Sequence, residues 1–244
     1  MKKLLLLLLA LCVLLCACKK KPAETTAEQT TAEPLVTTEQ ITTEPVVTTE
    51  PIVTEVTLDF GDDVDVKYEV LTLADEELNA ILDARSADIL ARYIPNISSI
   101  KELGGTAEYD VKLANVYKNE KILSAVFSGT YAIYYENSEE GGDVLYTVNI
   151  DPVSGKILET PDIVDYEKMV KAIESGRFDK APDLSQYNPA YGIYPYVSIE
   201  TTEDGEHLCL YVTESGMYET VLGYRISLDS ASDFLRIQLT SEEN

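Results

Sequence analysis

The chain has 244 residues, 43 acidic against 19 basic, for a formal net charge of -24, with four Cys, one His and no Trp. That length holds one large domain or two small ones, and 45% apolar side chains suffice for a core. The charge excludes nucleic-acid binding, which needs a basic face, and the lone His207 excludes a His-rich zinc site and disfavours a Ser-His-Asp triad.

Met1-Lys2-Lys3 is a basic start, and the apolar run from Leu4 to Ala17 that follows it is shorter than the roughly 20 residues a spanning helix needs. Residues 1–17 therefore read as a secretory signal peptide. Leu15-Cys16-Ala17-Cys18 resembles the bacterial lipoprotein signal, an aliphatic residue three places before the modified Cys and a small one beside it. The resemblance implies that Cys18 becomes the lipidated N-terminus, a membrane anchor carrying diacylglycerol and palmitate-type acyl chains. Two chains pass the threshold at which one chain, at about 0.8 kcal/mol per buried CH₂, binds only marginally. Cys209 is then the only remaining thiol, so no intramolecular disulfide is available; Leu208-Cys209-Leu210 reads as a buried apolar stretch.

Residues 18–57 form a lipidated linker. Thr-Thr pairs begin at 25, 30, 37, 42 and 48, each followed shortly by Glu, with Pro22, Pro34, Pro45 and Pro51 between them and no aromatic residue. Such a segment buries too little surface to offset the entropy of ordering, so it is expected to be a disordered tether reaching roughly 120 Å when extended at about 3.1 Å per residue.

Residues 58–244 are the predicted folded region, which holds all 16 Tyr. Val64, Val66, Tyr68 and Val70 alternate as on a half-buried strand. After the capping signal Thr72 and Asp75, Leu78, Ile81, Leu82, Ile89, Leu90 and Tyr93 recur at helical spacing, and Pro95-Asn96 ends the run. Strand signals follow at 106–117, 122–135 and 144–150, with turns expected at 118–120 and at Glu139-Glu140-Gly141-Gly142. Thr160-Pro161-Asp162 is expected to cap a second helix over 163–175. Further strands are expected around 196–201, 207–213, 218–226 and 234–239. Strands with two segregated helices indicate an α+β fold, mainly antiparallel.

The run Ile122 to Tyr131, then Tyr146 to Asp151 with Ser154-Gly155-Lys156-Ile157-Leu158, then the helix headed by Asp162, is similar to a bacterial extracytoplasmic domain family. That family occurs in lysozyme-sensing anti-sigma factors and ahead of the catalytic domain of some peptidoglycan deacetylases. Asp204 to Tyr211, Gly223 to Leu228 and Phe234-Leu235 resemble its closing strands. Two departures from the resemblance stand out: residues 1–244 are expected to hold neither a sigma-binding segment with a spanning helix nor a metal-binding catalytic domain, and Glu136 to Asp143 replaces a Gly-Ala-His-like segment with acids.

Tyr187, Tyr191, Tyr194 and Tyr196 crowd a Pro/Gly-containing loop and are candidate ligand-binding residues, because Tyr supplies contact area with few torsions to freeze. Asp59, Asp62, Asp63 and Asp65 invite a calcium reading, but Gly61 precedes the cluster instead of following its first ligands, so they read as a solvated domain entrance. Glu136, Glu139, Glu140 and Asp143 read as a hairpin tip. There is no Gly-x-Ser-x-Gly, no His-Glu-x-x-His and no phosphate-cradling loop. The sequence thus points to a non-enzymatic lipoprotein without metal or cofactor, lipid-anchored outside a bacterial cell of Gram-positive type. Its expected partner is a basic protein such as lysozyme or a cationic peptide; the alternative is a cell-wall glycan or peptidoglycan held by the Tyr loop, and an enzyme acting on wall material ranks third.

Overall fold

The computed structural model describes residues 51–61, 63–214, 219–237 and 239. The signal peptide, Cys18 and the tether through residue 50, Asp62, and Tyr218 at the start of the strand expected over 218–226 lie outside the described residues.

Strand β1 (Ile52–Asp59) pairs antiparallel with β2 (Val64–Thr72), from Ile52 opposite Thr72 to Asp59 opposite Asp65. This corrects the tether boundary: residues 52–57 belong to the sheet, since Val56 and Leu58 pack against the core. In β2 the buried Val64, Val66 and Tyr68 alternate with exposed Asp65 and Lys67, the period-2 pattern of a half-buried strand. A crossover leads to β3 (Thr106–Lys118), which lies parallel to β2; β4 (Leu123–Tyr135) and β5 (Ser138–Ile150) then continue antiparallel. The order is β1-β2-β3-β4-β5.

The crossover carries helix α1 (Glu76–Tyr93) and the short α2 (Ile97–Glu102). The Asp75 carboxylate accepts from Leu78 N at 2.9 Å, capping α1, while Leu78, Leu82, Ile89 and Leu90 bury one stripe against the inner face of the sheet. Rings fill that interface: Phe127 stacks on Tyr146 at 4.9 Å and Tyr93 meets Tyr131 at 4.9 Å.

The second half builds its own core. Helical turn α3 (Thr160–Ile163) and helix α4 (Tyr166–Glu174) stand where one continuous helix is expected. The break at Val164-Asp165 is imposed from afar, by a bridge from Val164 to Leu235 and by Asp165 N donating to the Phe234 carbonyl at 2.7 Å. Strands β6 (Tyr196–Thr202), β7 (Gly205–Glu214) and β8 (Thr220–Ser227) form an antiparallel meander, closed by helical turn α5 (Leu228–Ala231). Among the described residues of the strand expected over 234–239, the pairing is the single bridge at Leu235; residue 238 lies outside the described residues. The fold is α+β, its two sheets mostly antiparallel and its two main helices α1 and α4.

Edge strand β6 crosses the outer face of the large sheet. Val197 O accepts from the Asn149 side chain on β5 at 2.9 Å, Ile199 N donates to Ser124 Oγ on β4 at 2.9 Å, and Glu200 accepts from Asn115 on β3 at 2.9 Å. Asn115 is available because β3 bulges between Leu113 and Asn115. The second sheet therefore covers the half of β3, β4 and β5 nearest Ser124 and Asn149, and leaves the other half of that face bare.

Candidate binding face

The bare half is acidic. Register sets Thr130 between Asp110 and Asp143, and Ala132 between Glu108 and Gly141, all on the outward face. Tyr134 lies between Thr106 and Glu139 in the next row and is 38% exposed. The small side chains of Ala132 and Gly141 make the floor of a groove of about 340 Å³, with Glu108 and Asp110 along one side, Glu139 and Asp143 along the other and Glu219 at a corner. The corner exists because residue 142 is Gly: a Cβ there would lie 2.5 Å from the Glu219 carbonyl oxygen. Asp143 fixes this junction from both ends, its N donating to Glu219 O at 2.8 Å and its carboxylate accepting from Val221 N at 3.1 Å.

Towards β1 the same face carries Asp65, Lys67 and Lys112. Lys67 pairs with Asp65 at 2.7 Å and Lys112 with Asp110 at 3.3 Å, so both lysines are already engaged. Burial pushes the Tyr131 phenol up, and Glu219 and Glu140 push it the same way. Among the described residues, no three His, Cys, Asp or Glu side chains are gathered as a metal site. The groove offers spaced carboxylates and one exposed ring, which suits amines and guanidinium groups on a partner.

The hairpin tip expected at Glu139 to Gly142 is displaced. The turn is Glu136-Asn137, Tyr135 pairs with Ser138, and Glu139 to Asp143 belong to β5. Of the acids read as a hairpin tip, Glu136 does lie in the turn, whereas Glu139 and Asp143 stand on β5 and belong to the face. Glu108 and Asp110 escape sequence reasoning because their groove partners Glu139, Asp143 and Glu219 lie far along the chain; the alternation of 106–112 was the available signal.

The four candidate tyrosines do not converge. The Tyr187 hydroxyl accepts from Thr213 N at 3.0 Å and its ring packs on the second core. Tyr191 ends the 3₁₀ turn Pro189–Tyr191 and is 80% exposed. Tyr194 meets Tyr166 edge to face at 5.3 Å, and Tyr196 packs against the first core; these two share a cleft beside α1. His207 is buried, its Nδ1 lying 3.0 Å from Gly205 O and 3.1 Å from Thr202 Oγ1 within the β6–β7 turn. Burial pushes the Cys209 thiol up, and the Glu200 carboxylate adds to this, so the thiol stays protonated and inert. No helix among the described residues is long and apolar enough to cross a membrane.

Fold and face together define an α+β domain with a half-covered sheet whose open part is a carboxylate-lined groove. No family model matches the chain, and no curated protein matches it. It aligns with a solved DUF3298 family protein from Pseudomonas aeruginosa at 11% identity, covering 76% of this chain and 93% of that one, with a TM-score of 0.43. It aligns also with a DUF3298 family member from Bacteroides fragilis at 14% identity, covering 79% of this chain and 95% of that one, with a TM-score of 0.43.

Proposed function

We propose that the chain is a lipid-anchored, extracytoplasmic binding or sensing protein that takes a cationic protein or peptide, lysozyme among them, on the open acidic half of its large sheet, and that it works without catalysis. The carrying observation is the groove of Glu108, Asp110, Glu139, Asp143 and Glu219, five acids of which only Asp110 is paired with a lysine, Lys112, among the described residues. Its walls are β-strands, so the carboxylates keep their spacing before a partner arrives and little ordering entropy is lost on contact. The excess of acid over base steers a basic partner toward this face and makes the encounter salt-sensitive. The signal and linker residues support the location, with Cys18 as the lipid attachment point.

Titrating the full chain with lysozyme and with a lysine-rich peptide, from about 0.05 to 0.5 M salt, tests the reading. Binding is expected to weaken by about tenfold or more across that range, and as much again in the variant Glu108→Gln/Asp110→Asn/Glu139→Gln. Binding indifferent to both, or absent, overturns it. Cys18→Ala should move the protein from the membrane fraction to the medium; retention in the membrane would refute the anchor alone.

A further inference from the structure

A second cleft, of about 900 Å³, lies between α1 and the segments 157–161 and 192–196. Its walls are tied together. Arg85 on α1 reaches Glu159 with its two terminal nitrogens at 2.6 and 3.4 Å, and Thr160 Oγ1 donates to the Pro195 carbonyl at 2.7 Å. Arg236 braces the same wall from behind, donating to Pro161 O at 2.8 Å. The volume falls in the range of small-molecule sites, about 300–1,000 Å³, and the position, where elements of both cores meet, is one such sites favour.

The lining has two characters. Ile81 and Ile193 stand 54% and 49% exposed across from each other's segments, and with the half-buried Pro161 and Tyr194 they make an apolar wall over the buried Pro195. At the far end stands Arg92, two helical turns from Arg85 and therefore on the same side of α1. Each of the other four arginines of the described residues grips a carboxylate or a carbonyl: Arg85 with Glu159, Arg177 with Asp233, Arg225 with Asp179, Arg236 with Pro161. Arg92 alone has no hydrogen bond or ion pair among the described residues, in a chain with more than two acids for every base.

The remaining charges in the cleft fix the valence of what fits. Glu159 is taken by Arg85, and Asp88, one turn before Arg92, faces the cleft without reaching ion-pair distance of it. Arg92 then offers one unpaired positive charge, enough for a single carboxylate, and the nearby Asp88 opposes a doubly charged phosphate more than a singly charged group. From the free planar fork of Arg92 and the apolar wall beside it, we infer that this cleft binds a monocarboxylate with an apolar body, such as the free C-terminus of a peptide ending in an apolar residue. The site is separate from the acidic groove and carries the opposite recognition chemistry; either can fail while the other stands.

Isothermal titration of the full chain with N-acetyl-leucine, N-acetyl-leucinamide, N-acetylglucosamine and inorganic phosphate tests this. The acid is expected to bind about tenfold tighter than the amide, and Arg92→Gln should erase that preference while leaving the thermal midpoint unchanged, because Arg92 is exposed. Arg225→Gln, on the other sheet, should keep it. Equal binding of acid and amide, a preference that survives Arg92→Gln, no binding of the acid, or tighter binding of the sugar or of phosphate would each overturn the assignment.

Discussion

Asn149 on β5 donates its side-chain N–H to the main-chain carbonyl of Val197 on β6 at 2.9 Å, although the two strands belong to different sheets. The Asn149 oxygen accepts from Ser124 Oγ at 2.6 Å, and that same Oγ accepts from Ile199 N at 2.9 Å. Asn149, Ser124 and Val197 are all buried, so each bond replaces one that water would otherwise make.

Removing one member strands the others. Asn149→Ala leaves Val197 O without its side-chain donor and Ser124 Oγ without its acceptor, and is expected to cost about 2–4 kcal/mol, more than the ~1 kcal/mol of a typical single hydrogen bond. Urea unfolding followed by circular dichroism reads the loss; a change below about 1 kcal/mol would mean that water replaces the seam.

Gly129 has no room for a side chain. A Cβ there would stand 1.8 Å from Asp110 O and 2.7 Å from Val111 Cα, both on the paired strand β3, so backbone would have to move. Gly129→Ala should destabilise by about 3 kcal/mol or more, at the upper end for overpacking, because the obstruction is main chain. Thermal unfolding of the variant beside the parent checks it.

Alkali should unfold this protein through its buried phenols. Burial pushes Tyr93 and Tyr146 up to about 12, and pushes Tyr109 further in the same direction. An unfolded Tyr ionises near 10, so between about pH 10 and 12 the folded state holds protons that the unfolded state has released. Stability from these groups is complete below about pH 10 and is lost as pH rises toward 12. Urea midpoints should fall over that window, with a fraction of the 16 tyrosines ionising late by ultraviolet absorbance. A flat midpoint through pH 11 would contradict it.

Local elements were legible in the sequence where local forces make them. The stripe of α1 follows from Leu78, Leu82, Ile89 and Leu90, and the strands of the large sheet from their alternation. What was missed depends on partners distant in sequence. Strand β1 shares its Thr/Glu composition with the tether and becomes a strand by pairing with β2. The interruption between α3 and α4 comes from Leu235 and Phe234, some seventy residues on. The two-residue turn Glu136-Asn137 lacks glycine, so Gly141-Gly142 drew the turn assignment, whereas their lack of side chains makes the groove floor and admits Glu219. The groove is a property of register, and no single stretch of sequence contains it.

The crossing of β6 over one half of three long strands has a dynamic consequence. Amides of β4 and β5 near Ser124 and Asn149 are covered on both faces, whereas those near Tyr134 and Glu139 are covered on one. Solvent exchange should therefore run as a gradient along each strand, slowest at the seam and fastest at the hairpin end. The large sheet behaves as a beam clamped at one end, and the acidic groove occupies its free end, where a partner can be accommodated by small flexing without loosening the clamp.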